Sequence, residues 1–214
     1  MSRTSFDTAV VHQAAAWLLT YPDADLAADL PLLRAAVGAV RGPAAAQLGG
    51  FIDHADATGV AGLAYQYTEV FDFGHRHSLY LSWWSDGDTR RRGAALLAFK
   101  QAYRAAGYAP TDEELPDFLP AVLEFSARTR DDTLLREHRA GLELLRLALS
   151  EAGTPYADVL VAVCATLPGP SPADRAQALA LARSGPPRED VGLGGELPPY
   201  GHLAQLPVLA TGGR

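Results

Sequence analysis

The chain has 214 residues, of which 48% are hydrophobic and 20% charged, so it can build a sizeable core and does not have the make-up of a disordered segment. Its 18 Lys and Arg against 25 Asp and Glu leave a net charge of −7, which argues against nucleic acid or an anionic membrane as the main partner. The single cysteine, Cys164, excludes an intrachain disulfide and any Cys-based zinc or iron–sulfur site.

Taken in chain order, the apolar pattern is helical almost throughout. The N-terminal stretch is broken by Asp7, His12 and Gln13, so it lacks a signal-peptide core, and a cytoplasmic protein is expected. Phe6, Val10, Ala14, Trp17, Leu18 and Tyr21 repeat at three- and four-residue steps until Pro22. Leu26, Leu30, Leu33, Val37 and Val40 form a second stripe, closed by Gly42-Pro43. A third stripe carries Leu48, Phe51, Ile52 and Ala55, and a fourth carries Leu63, Tyr67, Val70 and Phe71. A fifth helix is expected from Thr89, capped by Asp88 and stopped at Gly107. The sixth holds Phe118, Leu119, Val122, Leu123 and Ser126. With Asp117 as its cap, Pro120 falls in the first turn, where a missing N–H costs little.

Asp131 or Asp132 can cap a seventh helix carrying Leu134, Leu135, His138, Leu142, Leu145 and Leu149, with Gly153 as its stop. Tyr156 to Leu167 and Pro172 to Arg183 supply the eighth and ninth. The run Ser78 to Trp84 is the best strand candidate, but it has no alternating partner and reads as a loop or short turn. An all-α bundle of eight or nine helices over residues 1–184 follows. Residues 185–214 contain seven glycines and five prolines. They read as a flexible tail with apolar clusters around Tyr200 and Leu206 to Leu209.

Enzymatic signatures are missing. There is no Gly-x-Ser-x-Gly elbow, no phosphate-cradling Gly-x-x-x-x-Gly-Lys, no Gly-x-Gly-x-x-Gly and no Glu-x-x-His pair. Cys164, among Val161, Ala162, Val163 and Ala165, reads as a buried inert thiol. Asp72, His75 and His77 form the one cluster with metal-like spacing, and a metal-binding helical enzyme is the alternative they keep open. Arg90, Arg91 and Arg92 read as a solvated helix face.

Two segments stand apart. One runs Tyr67-Thr68-Glu69-Val70-Phe71-Asp72, then Ser78-Leu79-Tyr80-Leu81 and Asp88-Thr89-Arg90-Arg91-Arg92-Gly93. The other is Glu114-Leu115-Pro116-Asp117-Phe118-Leu119-Pro120-Ala121-Val122-Leu123-Glu124-Phe125. Acids wedged among prolines and apolar residues suit an amphipathic peptide whose basic residues meet carboxylates.

Together with Leu18-Leu19-Thr20-Tyr21-Pro22-Asp23, these motifs resemble the nitrate reductase molybdenum cofactor assembly chaperones, the NarJ-type branch of the TorD-like superfamily. The resemblance implies an all-helical chaperone rather than an enzyme. It would bind the N-terminal segment of a nitrate reductase catalytic subunit and hold that subunit open for the molybdenum cofactor and an iron–sulfur cluster. No cofactor would stay bound to the chaperone. Neither nucleic acid nor a stable membrane association is implied, and the protein would be a monomer or weak dimer. Another molybdoenzyme is the alternative client.

Client contacts carried over by motif are Tyr67, Glu69, Phe71, Asp72, Tyr80, Glu114, Pro116, Asp117, Leu119, Pro120, Leu123 and Glu124, and Phe118 joins Leu119 as an expected groove or supporting residue. Asp117 and Glu124 are the expected contacts to positive charge. Trp83-Trp84 and the tail depart from the family pattern.

Overall fold

The computed structural model describes residues 5–73, 75–87, 90–109 and 114–184. Asp88, which the sequence offers as a helix cap, and the tail after Ser184 lie outside them. Ten α-helices make up the described fold: α1 (Phe6–Leu18), α2 (Ala24–Gly38), α3 (Pro43–Tyr67), α4 (Leu81–Asp86), α5 (Arg90–Ala105), α6 (Leu119–Thr129), α7 (Thr133–Glu137), α8 (Arg139–Glu151), α9 (Tyr156–Ala165) and α10 (Arg175–Ser184). The all-α expectation holds. Among the described residues the only sheet-like pairing is one antiparallel bridge, Tyr80 with Phe118.

Helices α2, α3, α9, α8 and α10 pack in that order as a row, and α1 lies against α2, α3 and α9 with α6 on its other side. The core sits where these meet: Leu18, Leu48, Ile52, Leu123, Val159 and Leu160 are fully buried. One polar group is set into it. His12 of α1 is buried and reaches Ser126 of α6 (Nδ1 to Oγ 3.0 Å) and Thr166 after α9 (Nε2 to Oγ1 2.8 Å). The Thr166 hydroxyl donates to the Val163 carbonyl at 2.6 Å, so His12 Nε2 donates to Thr166 and Nδ1 accepts from Ser126. Burial alone pushes the imidazole down to about 4, so the junction is neutral.

Several helices differ from the sequence reading. The third and fourth stripes belong to one helical stretch, α3, interrupted at Gly59 (φ 72°, ψ 163°), a conformation that glycine adopts without the Cβ clash. His54 Nε2 donates to Gln66 Oε1 at 2.8 Å across that corner, although twelve residues of straight helix would span about 18 Å. Asp23 caps α2 through Leu26 N–H at 2.9 Å, a signal the apolar stripe did not contain.

The seventh helix is two helices, α7 and α8, separated at His138 (φ −102°, ψ 18°), whose ring stacks on Phe99 at 4.7 Å. The second half of the Ser78–Trp84 run is helix α4, not loop. It can approach α8 closely because Gly141 has no side chain: a Cβ there would lie 3.0 Å from that of Trp84.

The loop before α10 is held by a buried charge cluster. Glu143 is fully buried and accepts from Arg146 Nε at 2.6 Å, Ser171 Oγ at 2.8 Å and, more weakly, Arg139 at 3.4 Å. The two guanidinium groups also donate to the carbonyls of Gly169 (2.9 Å), Pro170 (3.0 Å) and Pro172 (2.6 Å). Each charged group there makes hydrogen bonds, as burial requires, although Arg139 Nε has no partner among the described residues. Cys164 is buried beside this cluster, and burial above all pushes its thiol up, in keeping with an inert role.

Candidate functional site

The first half of the site grows from the end of α3. Tyr67 is its last residue, and a π-helical turn, Thr68–Asp72, follows before a short 3-10 turn at His75–His77. A π turn is uncommon and tends to mark functional positions. Tyr67 packs edge-on against Tyr21 (5.5 Å between ring centres) and tilted on Phe71 (4.8 Å), and Phe71 meets Tyr156 at 4.9 Å. The Tyr67 hydroxyl donates to the Leu19 carbonyl at 3.3 Å, and the Tyr156 hydroxyl is buried without a partner among the described residues. Glu69 and Asp72 are exposed on the turn, and Phe73 beyond it is 76% exposed.

The second half is a clasp between two distant segments. Leu81 N–H donates to the Asp117 carbonyl at 3.0 Å and Leu119 N–H to the Leu79 carbonyl at 2.8 Å. Between them the Tyr80 and Phe118 rings lie 5.5 Å apart. Asp117 is fully buried, and its Oδ2 accepts from the Ser82 hydroxyl (2.6 Å) and backbone N–H (3.1 Å). That N–H belongs to the first turn of α4, so Asp117 caps a helix thirty-five residues away along the chain. The cap of α6 is Phe118, with Pro120 in the first turn as expected. The other Asp117 oxygen has no partner among the described residues.

Helix α5 closes the clasp. Arg92 lies over the Tyr80 ring at 5.7 Å and donates from Nε to Ser82 Oγ at 3.3 Å, and the Tyr103 hydroxyl donates to the Pro116 carbonyl at 2.6 Å. Trp84 Nε1 donates to the Ser78 carbonyl at 2.9 Å.

The two halves lie within electrostatic reach of each other. Burial is the main cause that pushes the Tyr67 phenol up, and the charges of Asp72 and Glu114 and the Tyr80 phenol add to it. The Tyr80 hydroxyl donates to Glu114 Oε2 at 2.9 Å, and burial together with that carboxylate pushes it up to about 12. The result is a patch of aromatic rings rimmed by carboxylates.

The structure pairs Tyr67 with Phe71 and, separately, Tyr80 with Glu114 and Phe118, while Pro116, Leu119, Pro120 and Leu123 are buried. The two acids picked out for client charge sit differently from expectation. Asp117 has no exposed surface and its carboxylate serves Ser82, so its place is internal. Glu124 pairs with Arg128 one turn along α6. Arg92, read as part of a solvated face, is instead half-buried on Tyr80. Ser82, Tyr103 and Tyr156 carry contacts that no motif signalled, and Tyr21 stood in the Leu18–Asp23 motif without an assigned role.

Among the described residues no group of three or more His, Cys, Asp or Glu could hold a metal ion. His77 Nδ1 donates to the Val70 carbonyl at 2.9 Å, and the His75 side chain lies outside the described residues. No described helix is long and apolar enough to cross a membrane. What the patch offers chemically is apolar ring surface for burial and carboxylates for positive charge.

Comparison with known proteins accords with this geometry. The model of the nitrate reductase delta subunit family matches residues 24–162. The nitrate reductase-like protein NarX of Mycobacterium tuberculosis is 41% identical over 160 residues, covering 73% of this chain; the chain spans only 24% of that relative's length. The probable nitrate reductase molybdenum cofactor assembly chaperone NarJ of Bacillus subtilis is 29% identical over 165 residues, 75% of this chain and 90% of the relative. The Escherichia coli protein named nitrate reductase molybdenum cofactor assembly chaperone NarJ is 34% identical over 95 residues, 43% of this chain and 40% of its own length. In fold, the chain is similar to the crystal structure of a putative redox enzyme maturation protein from Archaeoglobus fulgidus, with a TM-score of 0.58 and 20% identity over 73% of this chain and 91% of that one. With the family model spanning most of the helical region, the chain belongs to the nitrate reductase delta subunit family of NarJ-type proteins.

Proposed function

We propose that this chain is a cytoplasmic assembly chaperone, not a catalyst, for the catalytic subunit of a nitrate reductase. It binds that subunit's N-terminal segment and keeps it open while the molybdenum cofactor, and in addition an iron–sulfur cluster, is inserted. The cofactor is cargo for the client and makes no lasting bond to this chain. The observation that carries the reading is two ring pairs, Tyr67 with Phe71 and Tyr80 with Phe118, beside the exposed carboxylates of Asp72 and Glu114. The names of the Bacillus and Escherichia relatives supply the role.

The physical logic is one of population shift. A binder that recognises only the open client raises the open fraction by its difference in affinity for the two forms. Rings supply contact area, and the carboxylate rim supplies steering that salt screens. Calorimetric titration with a peptide copying the N-terminus of the nitrate reductase catalytic subunit tests this. One-to-one binding that weakens with salt is expected, and Asp72→Lys with Glu114→Lys should weaken it by about tenfold or more at low salt. Full-strength binding to the folded double variant would overturn the placement of the site. No binding to the unaltered chain would overturn the choice of client segment.

A further inference from the structure

Helix α5 has the chemistry expected of the client. Its 16 residues include Arg90, Arg91, Arg92, Lys100 and Arg104 and no acid, in a chain of net charge −7. Arg92, Leu96, Phe99 and Tyr103 follow one another at four- and three-residue steps, so they share one helix face. Phe99 and Tyr103 are buried, and Leu96 is half-buried. That face meets the clasp, where Tyr103 donates to the Pro116 carbonyl and Arg92 lies over the Tyr80 ring. A basic segment with an apolar face is thus already seated at the clasp, and among the helices it packs chiefly on α4.

The hold on Arg92 is slight. Its guanidinium is 5.7 Å from the Tyr80 ring centre, near the outer limit of a cation–ring contact. Its Nε donates to Ser82 Oγ at 3.3 Å, longer than the usual ~2.9 Å. Arg92 and Tyr80 are half-buried and Glu114 is exposed, so solvent reaches all three. The ring is nonetheless a good place for a cation. Its hydroxyl donates to Glu114 at 2.9 Å, which sets a carboxylate at the ring's edge. Behind it, the Ser82 hydroxyl donates to the buried Asp117 at 2.6 Å, so a guanidinium on this face also answers that carboxylate through the serine. A basic client residue drawn to Glu114 therefore meets a ring face that is taken. Another arginine can replace the first, because one planar group both stacks on a ring and bonds a carboxylate.

We propose that Arg92 is the resident occupant of a guanidinium site on Tyr80, displaced when an arginine of the client binds between that ring and Glu114. The identity of the incoming arginine rests on the chaperone reading; the occupied ring face does not. Segments without a cation have nothing to exchange for Arg92, so the contact selects against them.

The test uses the full chain with isotope-labelled tyrosine rings, Tyr80 being assigned by the signal lost in Tyr80→Phe. The first probe is N-acetylarginine amide, which carries the guanidinium and no other part of the client. In Arg92→Gln the Tyr80 signal should respond at about three- to sixfold lower probe concentration than in the unaltered chain, the margin that one exposed cation–ring contact sustains. Arg91→Gln removes the same charge from an exposed neighbouring position and should leave the response as it was. The second probe is the peptide copying the N-terminus of the catalytic subunit, which Arg92→Gln should bind more tightly by a similar factor. A purely structural Arg92 predicts weaker binding instead. Equal gains in the two variants, a Tyr80 signal in Arg92→Gln that ignores the arginine probe, or a peptide affinity that does not rise there each overturn the proposal. If Arg92→Gln disturbs the fold, Arg92→Lys keeps the charge without the planar group; it should show a smaller gain, and no gain overturns the proposal. A Tyr80 response to the arginine probe with no peptide binding by any variant overturns the choice of client and leaves the guanidinium site standing.

Discussion

The centre of the bundle and the clasp around Tyr80 are built on different principles. Where α1, α3, α6 and α9 meet, order comes from many apolar side chains, and the buried imidazole of His12 is neutral and bonded at both ring nitrogens. Around Tyr80 order comes from a single backbone bridge, one buried carboxylate and a few rings, and α5 leans on it through Tyr103 and Arg92 while its Phe99 stacks on His138. Dispersion and burial spread the load in the first region, so a lost group leaves a cavity that the whole domain feels. In the second, a few directional contacts hold distant segments, so a lost group should release a part rather than the whole.

That contrast can be broken from either side. Ile52→Ala in the centre should cost about 2–5 kcal/mol in chemical denaturation and lower every structural probe together. Separate transitions for the two regions would show that the centre does not set global stability. Next in size, Asp117→Ala removes both acceptor bonds to Ser82 and should cost about 2–3 kcal/mol. The loss should appear as faster amide exchange in α4 and α5 while α1, α6 and α9 stay protected. Equal acceleration everywhere would erase the distinction.

The smallest effect is in pH. His12 is held neutral in the fold down to about 4, against 6.5 when unfolded, so the unfolded chain binds the extra proton as pH falls. Its contribution is intact above pH 6.5 and is lost between there and about 4. From pH 6.5 to 5, above most carboxylate titration, stability should fall by about 2 kcal/mol, and His12→Gln should flatten that slope. An unchanged slope in the variant would mean that His12 is not the group responsible.

Much of this was legible in the sequence, and the limits follow from distance along the chain. Long helices show in their apolar period, and Gly107 and Gly153, both in the left-handed region, stop helices where expected. Helix α4 was hidden because it is six residues long and its cap comes from Asp117. The same contact explains why Asp117 reads as a binding acid: an acidic residue beside prolines looks alike whether it faces solvent or a serine thirty-five residues back. The break at His138 lies inside an unbroken apolar stripe, so periodicity runs straight through it. The patch residues were found by motif, but their meeting depends on the π turn and the clasp, and neither has a local pattern.

The charge cluster at Glu143 has a consequence for how freely the chain can vary. Arg139 and Arg146 grip the loop before α10 through the carbonyls of Gly169, Pro170 and Pro172, groups that any residue at those positions would carry. Only Ser171 contributes a side chain to the grip. Much of the information that fixes the last helix is therefore written in α8, and apart from Gly169 (φ 83°), Ser171 and the capping Asp174 the loop it holds can change its letters while keeping its place.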